Sequence, residues 1–238
     1  MYRMKRKVTY SEVGADYLAD MAQVIDYFQD CSCFHSDSLN VGPRSLTEHG
    51  KAWVLNSWQI VAKRYPSYGE EICVDTWAYE FKAMMGKRNF VIVDVAGEPI
   101  VTANSIWAYM DMEKGRPVQP EKGLIEAYGL EPRIDMDYAP RRIRTAGNFE
   151  KLTPMCVERA FLDTNHHMNN SRYVEVAMEY LPENFQVGQL RVEYRRSAVY
   201  KDILIPERQI DGQKLTIKLS DSDGEPYVIT EFTDREIR

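Results

Sequence analysis

Apolar positions along the chain fall into two kinds of period. Met21, Val24, Ile25 and Phe28 stand at i, i+3, i+4 and i+7, the stripe of a helix that buries one face. Tyr173, Val176, Ala177 and Tyr180 repeat that spacing two-thirds of the way along. Asp20 and Asn170 precede the two runs and are the predicted N-caps, since a short polar side chain there accepts from N–H groups that lack a helical partner. The stripes are 152 residues apart, Met21 to Tyr173. Phe90 to Val95, Ile100 to Met110, Lys214 to Leu219 and Tyr227 to Phe232 are rich in β-branched and aromatic residues and read as strands.

The strands repeat as well. Val61 to Ile72 lies over Val192 to Ile203 at an offset of 131, each a strand, a break around Pro66 or Ser197, and a second strand. Gly97-Glu98-Pro99 and Gly224-Glu225-Pro226 supply matching turns. The common order predicts two tandem halves, each a long helix followed by an antiparallel meander. A sheet with one apolar helix buries that helix on one face, an α+β layer architecture. The two offsets differ by 21 residues, which places a longer helix-to-strand excursion in the first half, between Cys31 and Ala52. Glu113 to Asn148 is rich in Pro, Gly and charge and reads as a connecting region with a short helix at Glu121 to Tyr128. The predicted layout is a first domain over residues 1–130, a connector over 131–147 and a second domain over 148–238.

Composition narrows the function classes. Of 238 residues 44% are hydrophobic and 28% charged, a globular balance. Thirty Lys+Arg against 36 Asp+Glu give a net charge of −6, which argues against a chain built to grip nucleic-acid phosphates. The longest uncharged run, Pro99 to Met110, is 12 residues, short of the roughly 18 a spanning helix needs. The basic start (Arg3, Lys5, Arg6, Lys7) is not followed by an apolar core, so no secretory signal is predicted. Four scattered cysteines make no disulfide framework, and a reducing, cytoplasmic setting is expected. Cys31-Ser-Cys33-Phe-His35 lacks a second ligand cluster at zinc spacing; neither a metal nor an organic cofactor is expected. Gly-x-Ser-x-Gly, Walker and Gly-x-Gly-x-x-Gly patterns are absent from the sequence.

The densest polar cluster is Asp163-Thr-Asn165-His166-His167-Met-Asn169-Asn170, directly before the second stripe. If Val157 to Asp163 is a strand running into an extended loop, a period of two puts Asp163, Asn165 and His167 on one side. That would aim a carboxylate, an amide and an imidazole at one cavity, beside helix N–H groups able to polarise a carbonyl. The competing reading is plain capping, since Asn and Asp crowd helix starts. At the offset of 152 the first half offers Ser11, Val13 and Ala15 in their place, so only one half carries the triad.

Arg64-Tyr-Pro-Ser-Tyr-Gly-Glu-Glu-Ile-Cys-Val-Asp-Thr-Trp77, Ser105-Ile-Trp107, Asp163-Thr-Asn-His-His-Met-Asn-Asn170 and Glu193-Tyr-Arg-Arg196 together resemble the acyl-ACP thioesterases, in that family's order. The resemblance implies a tandem (double) hot-dog fold and hydrolysis of fatty acyl-ACP to free fatty acid and holo-ACP. It also implies that the family's Asp, Asn and His site residues fall on Asp163, Asn165 and His167. Plant members carry an acidic residue and a cysteine straight after Glu-Tyr-Arg-Arg, where this chain has Ser197 and Ala198. A cysteine nucleophile at that position is therefore excluded, and Ser197 is at most a water-positioning group. The expected mechanism is attack by activated water, with Asp163 the favoured base and His167 orienting or shuttling a proton.

The first half, lacking the triad, is expected to hold the acyl chain along Met21, Val24, Ile25, Phe28, Trp53 and Trp58, all of which also suit ordinary core. Acyl carrier protein, the implied partner, is acidic; Arg141, Arg142, Arg144, Arg195, Arg196 and Lys201 are the docking candidates. A tandem pair can supply internally the two-fold contact of single hot-dog domains, so a monomer and a homodimer are both compatible. The rival readings are an acyl-CoA thioesterase, a hydroxyacyl-ACP dehydratase and a non-catalytic acyl-binding protein.

Overall fold

The computed structural model describes residues 1–235, and these divide into two compact units, residues 1–20 with 26–139, and residues 140–235 with 21–25. In chain order the elements are β1 (Tyr2–Lys7), α1 (Met21–Ser38), α2 (Pro43–Glu48), β2 (Lys51–Ala62), β3 (Glu71–Lys82), β4 (Met85–Val93), β5 (Pro99–Asp111) and β6 (Arg116–Pro117). They continue with α3 (Lys122–Tyr128), β7 (Glu150–Lys151), β8 (Met155–Cys156), α4 (Asn170–Met178), β9 (Val187–Tyr194), β10 (Ile203–Asp211), β11 (Lys214–Ser220) and β12 (Pro226–Asp234).

The predicted duplication is present strand by strand. In the first unit the order is β1-β3-β4-β5-β2, and in the second β7-β10-β11-β12-β9, every neighbouring pair antiparallel. Each unit is thus a three-strand meander flanked on one side by the strand that precedes it and on the other by a strand from further upstream. The first stripe behaves as predicted, with Met21, Val24, Ile25 and Phe28 fully buried. Of the second, Tyr173, Val176 and Ala177 are buried on α4, while Tyr180 falls beyond the end of that helix at Met178 and is half-buried. Phe28 packs its ring against Phe90 of β4 (centroids 4.9 Å apart) and Trp58 of β2 (5.8 Å), which anchors α1 on the sheet of the first unit. α4 packs on β11 and β12.

The excursion predicted within Cys31 to Ala52 is the second half of α1 together with α2. α3 begins one residue later than predicted and belongs to the first unit, where Leu124 and Tyr128 pack with Leu46, Ala78 and Tyr109. The division between units falls at Ala139/Pro140.

The β4–β5 and β11–β12 turns are copies of one another at the level of atoms. Asp94 Oδ1 accepts from the N–H groups of Ala96 (2.9 Å) and Glu98 (3.0 Å), and Asp221 Oδ1 from those of Asp223 and Glu225 (2.9 Å each). Gly97 and Gly224 both sit at φ +82°, a conformation open to glycine at no steric cost. The remaining carboxylate oxygens accept from Arg64 (3.2 Å) and Arg196 (2.6 Å). Amide and guanidinium donors hold both aspartates below the usual carboxylate range, Glu98 N–H foremost for Asp94 and Arg196 foremost for Asp221.

Inside the first unit Arg88 of β4 is buried and reaches the Nδ1 of His35 on α1 (2.7 Å) and the hydroxyl of Thr76 (3.2 Å), with the Tyr128 ring beneath its guanidinium. Burial, and then the nearby Arg88 charge, push the His35 imidazole down to about 4. The group is neutral in the folded chain at pH values where the unfolded chain has already taken up a proton. Its contribution is therefore lost as pH falls from about 6.5 to about 4, by about 3 kcal/mol at most. Unfolding free energy measured across that window should drop less steeply in His35→Gln, whose amide oxygen can still accept from Arg88. An identical slope in the variant would remove His35 as the cause.

Candidate active site

The polar cluster does not lie on an extended strand. Arg159–Phe161 forms a single 3₁₀ turn, and Asp163 to His167 closes a tight loop in which Asp163 N–H donates to His167 O (2.7 Å) and His166 N–H to Asp163 O (3.1 Å). The period-of-two argument for Asp163, Asn165 and His167 fails here because the Asp163 carboxylate organises the backbone. Its Oδ1 accepts from the N–H groups of Asn165 (2.7 Å) and His167 (3.2 Å), and His166 is turned into the left-handed region at φ +60°.

Asp163 therefore engages the main chain of His167, not its ring. The imidazole of His167 is half-buried and makes no hydrogen bond among the described residues; Asn165 and His166 are exposed. Oδ2 of Asp163 has no hydrogen-bond partner among the described residues.

The N-terminus of α4 differs from expectation in one residue. Asn169 is the cap and Asn170 the first helical residue: the Asn169 side chain accepts from Ser171 N–H (3.2 Å), and its carbonyl from Arg172 N–H (3.1 Å). Two of the amides expected to face a substrate carbonyl are thus already bonded.

The loop has a counterpart in the first unit, at a register the apolar stripes concealed. Gly14 N–H donates to Leu18 O, Tyr17 N–H to Gly14 O, and Tyr17 sits at φ +61°. The antiparallel bridges Leu18↔Ser67 and His167↔Val199 correspond, as do the bonds from Ala19 N–H to Pro66 O (2.9 Å) and from Met168 N–H to Ala198 O (2.8 Å). The loop offset is 149, the same offset that relates the helix starts Met21 and Asn170. The facing turn is offset by 132, one residue more than the 131 read along the strands, so that Pro66 matches Ala198 and not Ser197. A helical stripe recurs every three to four residues, so matching stripes slipped the alignment by one turn. The true counterparts of Asp163, Asn165 and His167 are Gly14, Asp16 and Leu18, not Ser11, Val13 and Ala15. Only the second unit carries the imidazole.

The Ser197 and Ala198 departure lies directly beside this loop. Ala198 is buried; its N–H donates to the Tyr173 hydroxyl (2.7 Å) and its carbonyl accepts from Met168. Ser197 is exposed. Next to the loop an open groove of about 600 Å³ is lined by Arg159, Leu162, Asp163, His166, Val199 and Tyr200. His166 is the lining histidine, a residue the sequence reading passed over for its neighbour; the unusual backbone position that aims it there leaves no mark in residue type.

The remaining candidates divide. Five of the six acyl-lining candidates (Met21, Val24, Ile25, Phe28, Trp58) are at most 2% exposed, and Trp53 packs with Tyr109 and Phe81. None of the six lines the groove beside the loop, or the second groove at Leu46, Tyr109 and Leu124. Among the docking candidates Arg196 is tied to Asp221 and Arg195 to Glu193 (3.2 Å), so both serve internal ion pairs. Arg141, Arg142, Arg144 and Lys201 are exposed. Among the described residues no cluster of three or more His, Cys, Asp or Glu has the arrangement to hold a metal ion, and all four cysteines are free thiols.

Comparison with known proteins gives a consistent result. The family model described as the acyl-ACP thioesterase N-terminal domain matches residues 1–128, and the one described as the C-terminal domain matches residues 146–231. The chain is 26% identical over 220 residues to the acyl-[acyl-carrier-protein] hydrolase FATB1, chloroplastic, of Cuphea viscosissima, covering 84% of this chain and 52% of that protein. It is 27% identical over 224 residues to the palmitoyl-acyl carrier protein thioesterase, chloroplastic, of Arabidopsis thaliana, covering 86% and 54%. The chain thus spans about half the length of the curated relatives it matches. In fold it is similar to an acyl-ACP thioesterase from Bacteroides thetaiotaomicron (TM-score 0.90, 20% identity, 98% of this chain and 97% of that one). It is likewise similar to the 12:0-ACP thioesterase of Umbellularia californica (TM-score 0.88, 19% identity, 98% and 96%). The fold is the double hot-dog.

Proposed function

The chain belongs to the acyl-ACP thioesterase family, and from that premise we propose that it hydrolyses the thioester of fatty acyl-ACP, releasing free fatty acid and holo-ACP. The observation that carries the proposal is the asymmetry between two otherwise matched loops: the Asp-Asn-His set occurs in the second unit alone, beside an open groove. Capping accounts for a carboxylate or amide in such a loop, as Asp16 does in the first unit, where its Oδ1 accepts from Leu18 N–H (3.0 Å). Capping does not account for the imidazole.

In this reading the two oxygens of Asp163 have separate duties. Oδ1 holds the loop closed through two amides, and Oδ2 takes a proton from the attacking water. His167 orients that water or passes the proton to the leaving thiolate, and the exposed Asn165 amide donates to the developing oxyanion. Water attacks the carbonyl carbon, the C–S bond breaks, the proton lost by water ends on the sulfur, and no acyl group is carried by the protein. Ser197 borders the loop as a water-positioning hydroxyl. Arg141, Arg142 and Arg144 are the exposed cations for an acidic carrier, and the four free thiols fit a reducing cytoplasm.

The Asp163 assignment is tested by two substitutions. Asp163→Asn keeps an oxygen to accept the Asn165 and His167 amides but has no base; Asp163→Ala has neither. Both should lower kcat for thiol release from acyl-ACP by about 10²- to 10⁴-fold, while only Asp163→Ala also lowers the melting temperature. Near-normal turnover in Asp163→Asn would leave Asp163 a purely structural residue.

A further inference from the structure

The groove next to the loop differs from its counterpart in the first unit in a way that folding does not require. The corresponding positions there are Tyr10, Tyr17 and Tyr68, which pack on one another (Tyr10 and Tyr17 at 6.0 Å and 6.3 Å from Tyr68). In the second unit the same backbone frame presents Arg159, His166 and Tyr200. Arg159 lies over the Tyr200 ring (5.0 Å to its centroid) and Lys201 lies over it as well (5.5 Å). Neither cation has a carboxylate partner within salt-bridge distance among the described residues. Lys201 occupies a left-handed position (φ +74°) that the first unit fills with Gly69 (φ +80°), so a cationic side chain is held where glycine would be unstrained.

Asp163 and Asp202 are engaged with the main chain and with Tyr227 and form no ion pair with either cation. Asp163 spends Oδ1 on two amides, and Asp202 Oδ2 accepts from Val199 N–H (2.9 Å) and the Tyr227 hydroxyl (3.1 Å). An exposed aromatic flanked by unpaired Arg and Lys, with an exposed histidine on the rim, has the chemistry of a phosphate-recognition site.

We propose that the Arg159–Tyr200 groove, with Lys201 over the Tyr200 ring, binds the phosphate of the pantetheine arm that carries the acyl thioester. The inference rests on the thioesterase reading and adds to it where the arm lies. The groove has Asp163 and His166 on its wall but not Asn165 or His167, and its cation is Arg159, beside Tyr200.

The test compares three substrates of one chain length: acyl-ACP, acyl-CoA and acyl-pantetheine, which lacks the phosphate. In Arg159→Gln/Lys201→Gln the ratio of kcat/KM for acyl-ACP to that for acyl-pantetheine should fall about tenfold or more, and the acyl-CoA ratio should fall with it. The control is Arg44→Gln, an exposed arginine on α2, which changes net charge alone and should leave the ratio as it was. A fall for acyl-ACP without one for acyl-CoA would mean that the groove reads the carrier's protein surface, overturning the phosphate assignment. An unchanged ratio for both would overturn it too. If the unaltered chain hydrolyses none of the three substrates, the thioesterase reading fails instead, an outcome distinct from either.

Discussion

His167→Ala is expected to lower kcat for thioester hydrolysis by about 10²- to 10⁴-fold, the range for losing a positioned acid–base group. The structure makes this a clean substitution. His167 contributes its backbone to the loop, through its N–H to Asp163 Oδ1, its carbonyl to Asp163 N–H and the bridge to Val199. All three survive truncation of the side chain, so stability should change by no more than about 0.5 kcal/mol. Stopped assays on the purified variant, with its melting curve beside them, separate the two effects. Full turnover at unchanged stability would take His167 out of the scheme and move attention to His166, the histidine that lines the groove.

Trp58→Ala should cost about 3–5 kcal/mol of unfolding free energy, the largest stability effect expected of a single change here. The indole is 2% exposed and packs against Phe90 (5.0 Å), Phe28 (5.8 Å) and Trp107 (6.3 Å), joining α1 to three strands of the first unit. Its Nε1 is buried without a hydrogen-bond partner among the described residues, a standing penalty that Trp58→Phe removes along with the lost area. The phenylalanine variant should therefore lose much less, about 1–2 kcal/mol in urea unfolding. The pair also tests the expectation that Trp58 lines the acyl cavity. Altered chain-length preference at unchanged stability would place the indole against substrate; a uniform loss of stability identifies it as core.

Much of the fold was legible because its signals are local and repeated. The stripe from Met21 to Phe28 and the Gly-Glu-Pro turns each correspond to a physical demand, a buried helix face or a left-handed corner, and both recur in the structure where they were read. Register was not legible to the same degree. A helical stripe matches itself after one turn, so the halves were aligned three residues out along the helix, and the error passed to the loop counterparts. What corrects it is a set of backbone bonds, such as those from Ala19 to Pro66 and from Met168 to Ala198, that depend on chain path and not on residue type.

The candidate residues stand out in the sequence, but their geometry does not. Asp163, Asn165 and His167 could be singled out from their density of polar groups and their family motif, but the loop they form is decided by the Asp163 carboxylate bonding to amides. Alternation rules have no purchase on such a loop. The basic candidates show the same limit: Arg196 looks like a docking residue in sequence, and only the matching of Asp221 with Asp94 reveals it as half of a turn-locking ion pair. Arg159 escaped notice for the converse reason, since an isolated arginine becomes informative only when Tyr200 and Lys201 are brought beside it.

The central claim, that the second-unit loop cleaves acyl-ACP thioesters, is most directly tested by thiol release from a panel of acyl-ACPs of C8 to C18, with the matching acyl-CoAs alongside and His167→Ala as the control. The account predicts release of free thiol and fatty acid from acyl-ACP, a maximum at some chain length, and loss of that release in the variant. Tight binding of acyl-ACP without release would contradict it and leave an acyl-binding protein in which Ser197 and Ala198 mark lost chemistry.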